Sequence, residues 1–319
     1  MYDGGDQSHA DLIISYLQEQ NVENIDYMIA SHYDEDHIGG LVPCIDNFSV
    51  SNIFGPDYVH TSNLFNNFMN TATANAIIVQ YPSVGETFDF GTGSFTVLAP
   101  NGISQNSNDN SLVIKLENGS NSFIFTGDAE ETSEQDMIST GMNLDCDVLS
   151  LGHHGSASST SWDLLEASTP SWAVISCGQD NSYGHPAAST MEKLRDMNIP
   201  VYRTDAQGTI IALSDGDTIS WNQEPCNDYA AGDAKQQSAN SDTSQAAQYS
   251  SEDTASAPAV ETETPDISSD TQGRTVWISA TGSKYHSRPD CGNMNPNKAT
   301  QETEAQALSQ GYEACKKCW

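Results

Sequence analysis

Short apolar segments alternate with amphipathic segments over the first two thirds of the chain. Ser8 and Asp11 fit the start of a capped helix, which predicts a helix over roughly 8–20. Further helices are predicted from about Ile38, over 133–140 and over 189–198. Runs rich in Val, Ile and Phe predict strands at 25–30, 50–54, 95–98, 112–116, 122–125, 148–151, 172–176 and 201–203, and a hairpin at 208–213 and 218–221. This alternation predicts a layered α/β domain over 1–222.

Charge divides the chain into three parts. The protein has 319 residues, with 44 acidic and 11 basic side chains and a net charge of −33. Residues 1–222 carry 30 acidic and 4 basic side chains, 223–273 carry 10 and 1, and 274–319 carry 4 and 6. Segment 223–273 is rich in small and acidic residues and has almost no large apolar ones, which predicts a disordered linker between two modules. The acidic first module argues against broad electrostatic binding to nucleic acid or anionic membranes, because both are polyanions.

The sequence also limits the relation of this chain to membranes. It contains no run of 18 apolar residues, so no membrane segment is predicted. The first residues have neither the basic nor the apolar region of a signal peptide, so no leader is present in this sequence. The acidic, Ser/Thr-rich linker and the low lysine content are typical of exported proteins of Gram-positive bacteria. An extracellular or cell-surface location is therefore expected, while the oligomeric state is not indicated.

The densest group of potential metal ligands directly follows the predicted strand at 25–30. His32, Asp34, Asp36 and His37 lie within six residues, so one loop can serve two neighbouring metals. Imidazole and carboxylate ligands suit Zn, Mn or Fe. A solvated polar loop is the alternative interpretation. The pattern His-x-Asp-x-Asp-His-x-Gly-Gly straight after an apolar strand favours a metal site over it.

Three further polar groups also follow predicted strands. Asp128 ends a Thr-Gly-Asp segment, His153 and His154 are adjacent between glycines, and His185 lies in a Tyr-Gly-His-Pro segment. Taken alone, Asp128 fits an ordinary turn and His185 fits a structural loop histidine. Ligands gather at the ends of strands in layered α/β folds. We therefore expect these side chains to join the first group.

Together these elements resemble the metallo-β-lactamase superfamily, and their order is similar to that in the hydrolase domain of ComEC-type competence proteins. The matching segments are Asp3–Gly5, Ser31–Gly40, Asn108–Val113, Thr126–Asp128, Gly152–Ser156, Tyr183–Pro186 and Arg203–Asp205. The resemblance implies an αββα sandwich with its site at one edge of the two sheets. The two or so strands that normally precede the first segment are not found, so the N-terminal strands are expected to be missing.

The resemblance also implies how the ligands divide between two divalent metals. His32 and Asp34 would hold one metal, Asp36 and His37 would hold the other, and Asp128 would bridge them. Either histidine of the following pair can complete the second site. These assignments predict a dinuclear centre of Zn or Mn.

The histidine pair and the later histidine receive roles in the same way. We favour His154 as the ligand of the second metal, with His153 facing the substrate phosphate. His185 would reach the leaving group or the transition-state oxygens, and Asp3 would orient a ligand from behind it. Asp36, His153 and His185 are therefore the candidate catalytic residues.

Two departures from the superfamily pattern concern the first metal. Asp34 replaces the usual second histidine of the loop, and the histidine expected before the Thr-Gly-Asp segment is missing. Asn108 and Ser111 stand in that region. The first metal site is therefore predicted to be poor in nitrogen, which favours a harder ion such as Mn or weakens occupancy.

The implied activity is hydrolysis of a phosphodiester by a metal-bound hydroxide. Single-stranded DNA is the substrate that the resemblance favours, and a smaller phosphodiester or a cell-wall phosphoester is the rival. The alternative from another class is a non-catalytic surface or binding protein that keeps the fold and binds its partner through the C-terminal module. The lost metal ligand and the missing strands motivate that alternative.

The C-terminal module, 274–319, contains a second possible metal site. His286, Cys291, Cys315 and Cys318 form a Cys₃His set, which is typical of structural zinc. A module of this size needs a staple because its core alone is too small. The segment resembles small metal-binding modules of bacterial nucleases, related to the N-terminal zinc domain of Ada repair proteins. A disulfide from Cys291 to Cys315 or Cys318 is the alternative.

Overall fold

The computed structural model describes residues 1–232, 275–278, 284–286, 300–303, 307 and 312–315. The chain divides into two compact units, Met1–Ala246 and Ala247–Trp319. The boundary that the sequence predicts at 222 falls inside the first unit. The residues that follow position 222 pack against the first unit, since Ala231 is buried and Tyr229 contacts the core. The rest of the predicted linker lies outside the described residues.

The first unit alternates helices and strands much as the pattern predicts. Its helices are α1 (Ala10–Glu19), α2 (Glu35–Ile38), α3 (Leu41–Asn47), α4 (Asn63–Ala74), α5 (Glu131–Ser139), α6 (Trp162–Ser168), α7 (Ala188–Asp196) and α8 (Thr204–Gln207). Its strands are β1 (Asn24–Ile29), β2 (Ser49–Phe54), β3 (Val79–Gln80), β4 (Thr87–Phe90), β5 (Gly93–Ala99), β6 (Val113–Asn118), β7 (Asn121–Phe125), β8 (Val148–Ser150), β9 (Trp172–Ile175), β10 (Val201–Arg203), β11 (Ala212–Ser214) and β12 (Ile219–Trp221).

These strands form two facing sheets and a hairpin. Strands β1, β2 and β3 form a parallel sheet in that order, and Tyr2 bridges to Ile29 at its β1 edge. The larger sheet has the order β10-β9-β8-β7-β6-β5-β4. It is parallel from β10 to β7 and antiparallel from β7 to β4. Strands β11 and β12 form the separate hairpin.

Three hydrophobic clusters hold the layers together. Between the sheets, Ile29 and Phe54 belong to one cluster with Phe95, Val97 and Ile114. A second cluster packs α1, α3 and α4 on the outer face of the smaller sheet, and a third packs α5, α6 and α7 on the larger sheet. Because each sheet buries both of its faces, the layers run helix, sheet, sheet, helix. The predicted αββα sandwich is confirmed.

Besides the short α8, two helices escaped the sequence-based prediction. One is α4, which is rich in asparagine and therefore has low helix propensity. Its N-cap Ser62 accepts a hydrogen bond from the backbone N–H of Phe65, and its face of Phe65, Phe68 and Ala72 is buried. Tertiary packing of this face outweighs the weak propensity. The other unpredicted helix is α6, which begins at a similar serine cap, Ser161.

The second unit is described only in part, as a four-stranded sheet. Its strands are β13 (Thr275–Ile278), β14 (Lys284–His286), β15 (Thr300–Thr303) and β16 (Glu313–Ala314), in the order β15-β13-β14-β16. His286 ends β14 and Cys315 directly follows β16. These two strands are parallel, with Tyr285 opposite Ala314. Cys291 and Cys318 lie outside the described residues, so neither the zinc site nor its disulfide alternative is tested.

Over the described ranges, no helix combines the length and the apolar character that crossing a bilayer requires.

Candidate metal centre

The loop between β1 and α3 is fixed by a close backbone contact with the N-terminal residues. A Cβ added to Gly40 would lie 2.0 Å from the backbone oxygen of Gly4, so only glycine permits this approach. The contact brings Asp3 beneath the loop. One oxygen of Asp3 accepts a hydrogen bond from the N–H of Ser31 at 2.7 Å, and the other accepts from Nδ1 of His37 at 2.9 Å. Asp3 thus holds the ring of His37 from the side away from the centre.

Four histidines turn Nε2 toward one point. Nδ1 of His37 donates to Asp3, Nδ1 of His153 donates to Glu130 at 3.0 Å, and Nδ1 of His154 donates to the Ser176 carbonyl at 2.7 Å. Carboxylate and carbonyl oxygens only accept, so these three Nδ1 atoms carry a proton and Nε2 is the nitrogen left to face the centre. The fourth is His32, whose Nδ1 lies 3.0 Å from the hydroxyl of Ser31.

The adjacent histidines diverge because of their backbone. His153 has φ 48° and His154 has φ 55°, both in the left-handed region that residues other than glycine rarely adopt. Two such residues in succession cost on the order of 1–3 kcal/mol each. The conformation aims the two imidazoles at different oxygens of Asp128. Strain of this kind marks a segment whose side chains must point in set directions.

Asp128 lies between two pairs of histidines. Its Oδ1 is 3.2 Å from Nε2 of His37 and 3.7 Å from Nε2 of His154. Its Oδ2 is 4.0 Å from Nε2 of His32 and 3.8 Å from Nε2 of His153. One carboxylate therefore offers a different oxygen to each pair, as a bridging ligand would.

Two further carboxylates complete the two groups. Asp34 Oδ2 lies 3.7 Å from Nε2 of His32, on one side. Asp36 Oδ2 lies 3.2 Å from Nε2 of His154 and 3.9 Å from Nε2 of His37, on the other. Two ligands that each lie about 2.1 Å from a tetrahedral ion are about 3.4 Å apart. Among the described residues, ligand atoms that all lie within 4.8 Å of one another come from Asp36, His37 and His154, and from His32, His37 and Asp128. Spacing of this order suits the ligands of a bound ion.

The buried atoms of this centre lack hydrogen-bond partners within the protein. Among the described residues, these atoms include Nε2 of His32, His37 and His154, and Oδ1 of Asp128. Leaving a buried polar atom unpaired costs about 1–3 kcal/mol. Four such atoms converge here, and divalent cations bound between them would satisfy all four. The donor set of imidazole nitrogens and carboxylate oxygens therefore fits the divalent metals that the sequence predicts.

Charge coupling within the centre shifts several pKa values. Burial alone would lower the pKa of His37, but the carboxylates of Asp3 and Asp128 outweigh it and raise that pKa well above its usual value. The hydrogen-bonding contact with His154 lowers the pKa of Asp36 to about 2. Burial opposes ionisation of Asp128, yet His37 and the neighbouring histidines hold its pKa below its usual range. Without a bound cation, these couplings favour ionised carboxylates and a protonated His37.

We expect Zn²⁺ binding at pH 7 to release protons, because a ligand histidine must be neutral. Because the folded protein binds the His37 proton more tightly than the unfolded chain does, this proton stabilises the metal-free fold. The stabilisation is complete below the unfolded pKa of about 6.5 and is lost as pH rises through the folded pKa. Metal affinity should accordingly increase with pH. Calorimetric titration of metal-free protein in two buffers of different protonation enthalpy measures the release. Asp3→Asn should reduce it, and an unchanged release in that variant would contradict the assignment to His37.

The region that lacks the family histidine supports the centre in another way. The hydroxyl of Ser111 accepts a hydrogen bond from the N–H of Asp128 at 3.0 Å. Asn108 donates through Nδ2 to Glu130 at 3.0 Å, and Glu130 in turn holds His153. The Asn-x-x-Ser segment thus positions two residues of the centre.

Sequence reasoning missed two residues near this centre. Glu130 follows Asp128 by two positions, a weak signal, and only the fold brings it to His153. His60 lies in the loop after β2, where Nε2 is 3.7 Å from Asp34 Oδ1. No motif surrounds His60, so the sequence offered no signal. His185, which was predicted, lies at the rim, with ring centroids 5.3 Å from His153 and 6.4 Å from His154.

The αββα sandwich and its His/Asp-rich centre define a class of fold that usually serves metal-dependent hydrolysis. The sequence profile of the metallo-β-lactamase superfamily matches residues 1–178, and the chain belongs to this superfamily. The fold accordingly implies divalent metal binding.

The chain is similar to proteins of three bacteria. It is 31% identical to ComE operon protein 3 of Bacillus subtilis (strain 168) over 200 residues, which cover 62% of this chain and 26% of that protein. It is 32% identical to Recombination protein 2 of Haemophilus influenzae over 216 residues, covering 66% and 25%. Competence protein ComA of Neisseria gonorrhoeae is 30% identical over 203 residues, covering 62% and 26%. The chain spans about a quarter of the length of these relatives.

Solved structures with a similar fold have low sequence identity. The metallo-β-lactamase fold protein YhfI from Bacillus subtilis matches with a TM-score of 0.32 and 18% identity, covering 46% of this chain and 56% of that one. CmlA, a diiron β-hydroxylase from Streptomyces venezuelae, matches with a TM-score of 0.36 and 13% identity, covering 48% and 35%.

Proposed function

We propose that this protein hydrolyses phosphodiesters at a centre of two divalent cations, Zn or Mn. The observation that carries the proposal is the position of Asp128, which turns one oxygen to His37 and His154 and the other to His32 and His153. A carboxylate so placed suits two neighbouring cations. Pairs of cations are used widely to clamp a phosphodiester during in-line displacement.

Each cation would have two nitrogen and two oxygen ligands. We assign His32, His153, Asp34 and the shared Asp128 to the first. The sequence favoured a contact between His153 and the substrate phosphate, whereas the position of its Nε2 beside Asp128 Oδ2 supports a ligand role. His153 then supplies the nitrogen that the first site was predicted to lack.

The second cation would be held by the other side of the centre. We assign Asp36, His37, His154 and the shared Asp128 to it, as the resemblance implies. When bound, the two cations would supply Lewis acidity for the phosphoryl group and would acidify a water molecule. The chain itself holds the ligands in place from behind, through Asp3, Glu130 and the Ser176 carbonyl.

His185 is the residue that we propose to act on the leaving oxygen. It is partly exposed and lies beside both His153 and His154, so a substrate bound at the centre would lie close to it. An imidazole there can donate a proton or a hydrogen bond to an oxygen that gains charge.

The named relatives support a nucleic acid as the source of the phosphodiester. Two of them are named for competence and recombination, which are processes that involve DNA. The acidic composition of the first module argues against a long charged track on its surface. Single strands or short phosphodiesters therefore suit the centre better than long duplexes.

Metal removal tests the proposal. We expect purified protein to contain about two divalent ions in the hydrolase unit. Chelation should abolish hydrolysis of bis(p-nitrophenyl) phosphate and single-stranded DNA, and Mn²⁺ or Zn²⁺ should restore it. Metal analysis and initial rates measure both effects.

Two results would contradict the proposal. If the protein binds no divalent metal, or if loaded protein cleaves neither substrate, the non-catalytic alternative is favoured. In that case the fold serves as a scaffold and the C-terminal module binds the partner.

We also propose that the C-terminal module holds one structural zinc ion. Strands β14 and β16 are parallel and in register at Tyr285 and Ala314, and the N–H of Cys315 donates to the Tyr285 carbonyl at 2.9 Å. The next step of this register places His286 and Cys315 side by side. This adjacency supports two of the four predicted ligands. The same metal analysis should then find a third equivalent.

A further inference from the structure

Most basic side chains within the described residues 1–232 are engaged by the protein itself. Arg203 is fully buried against Asp205, and Lys115 is buried with its ammonium near the Asn143 carbonyl. Lys193 donates to the Ser159 carbonyl, and Arg195 lies beside Asp196 on α7. These four are the lysines and arginines within 1–232. Over residues 1–232, lysine and arginine side chains therefore offer a phosphodiester substrate little positive charge beyond that of the cations.

Three near-parallel rings lead outward from the centre. His185 stacks on His154 with ring centroids 6.4 Å apart and planes at 28°. Tyr183 stacks on His185 with centroids 5.8 Å apart and planes at 23°. Tyr183 is 82% exposed, although large aromatic side chains are usually covered. The series thus ends in an aromatic face that is open to solvent, two ring contacts away from His154.

The loop that carries Tyr183 is held at several points. Asn181 Nδ2 donates to the carbonyls of Gly178 and His185, at 3.0 and 2.6 Å, and Asn181 Oδ1 accepts from the His185 N–H at 2.9 Å. At its start, the Cys177 N–H donates to the Thr204 hydroxyl at 2.9 Å. An aromatic face on a fixed loop binds a planar ring with little loss of conformational entropy.

The Arg-Thr-Asp segment holds the far end of the same loop. Arg203 Nη1 donates to the Asp228 carbonyl at 3.0 Å and also to the carbonyl of Ala230. Two residues further on, the Gly232 N–H donates to the Pro186 carbonyl at 2.8 Å. Arg203 therefore anchors segment 228–232, and the end of this segment binds the backbone of Pro186, the residue after His185. The Arg-Thr-Asp segment thus helps to hold the rim of the metal centre in place.

We infer that the outer face of Tyr183 is a stacking site for the nucleobase next to the scissile phosphodiester. This inference rests on the proposed phosphodiesterase function and assigns to it a residue that would recognise an unpaired base. Every base has a π-face, so the site would be tolerant of sequence. A base held in a duplex is stacked on its neighbours and cannot occupy it, so the inference also excludes intact duplex as the preferred substrate.

The test compares two single-stranded oligomers of equal length in metal-loaded protein. One is oligo(dT), and the other carries the same phosphodiesters on abasic sugars. Wild type should cleave oligo(dT) with a kcat/KM about 5- to 150-fold higher, the range expected for one stacked base. Tyr183→Ala should remove that advantage without slowing cleavage of the abasic oligomer. Tyr183→Phe and Tyr183→Trp should retain it, and Tyr16→Ala, on α1, is the matched control.

Each other outcome overturns the inference in a recognisable way. If wild type cleaves both oligomers equally, or if Tyr183→Ala slows both equally, Tyr183 does not read a base and the phosphodiesterase proposal stands. If a duplex of the same sequence is cleaved as fast as the single strand, the unpaired-base requirement is wrong. If wild type cleaves neither oligomer, the proposed function fails and the inference fails with it.

Discussion

Asp128→Asn is expected to lower kcat/KM for bis(p-nitrophenyl) phosphate by about a thousandfold or more. Changing a partner one step beyond the metal already costs about 10- to 100-fold in metal affinity or activity. Asp128 would be a direct ligand rather than such a partner, since its two oxygens lie within 4.0 Å of four histidine nitrogens. Asparagine has nearly the same shape but only one oxygen and no charge, so it cannot serve both sides of the centre.

The variant should also bind fewer than two equivalents of metal in the hydrolase unit. Metal analysis beside steady-state kinetics therefore checks the prediction in two ways. Asp217→Asn provides the matched control, because Asp217 is exposed in the β11–β12 turn, beside the turn that connects β6 and β7. The turn between β6 and β7 lies at the start of β7, whereas Asp128 follows the other end of this strand. Wild-type activity in Asp128→Asn would show that the centre is not the site of hydrolysis.

Arg203→Met is expected to destabilise the first unit by about 3–5 kcal/mol, the cost of removing one partner from a buried ion pair. Nε and Nη2 of Arg203 donate to the two oxygens of Asp205 at 3.0 and 2.7 Å, and both side chains are buried. Methionine fills part of the volume but leaves the carboxylate of Asp205 without its cation. The carbonyls of Asp228 and Ala230 lose their donor as well.

Urea denaturation followed by circular dichroism measures this loss of stability. Arg195→Met is the control, because Arg195 and Asp196 form an exposed pair, and such pairs contribute about 0–1 kcal/mol. Equal effects of the two substitutions would contradict the structural role of the Arg-Thr-Asp segment. A large loss confined to Arg203→Met would support it.

Much of the fold could be predicted from local pattern. Strands such as β1 and β10 are short apolar runs, and their bounds agree with the prediction to within a residue. The helix expected from about Ile38 is instead two short helices, α2 and α3, separated by Gly39 and Gly40. Backbone approach of Gly4 to Gly40 imposes that break, and a contact between segments so far apart leaves no periodic signal.

The sequence by itself determined the ligand types of the candidate centre and the order in which they occur. One loop, which directly follows a buried strand, carries His32, Asp34, Asp36 and His37. Asp128 follows another buried strand. Local chemistry and strand position are enough for this, since strand ends meet at one edge of a layered fold.

Only the tertiary structure decided how these ligands are arranged around Asp128. The left-handed backbone of His153 and His154 sends adjacent rings to opposite oxygens of one carboxylate, which residue order does not encode. Glu130 and His60 likewise reach the centre through the packing of separate elements. The physical reason is that a ligand set is defined by the directions of side chains in space. Those directions are set by long-range packing and backbone strain rather than by spacing along the chain.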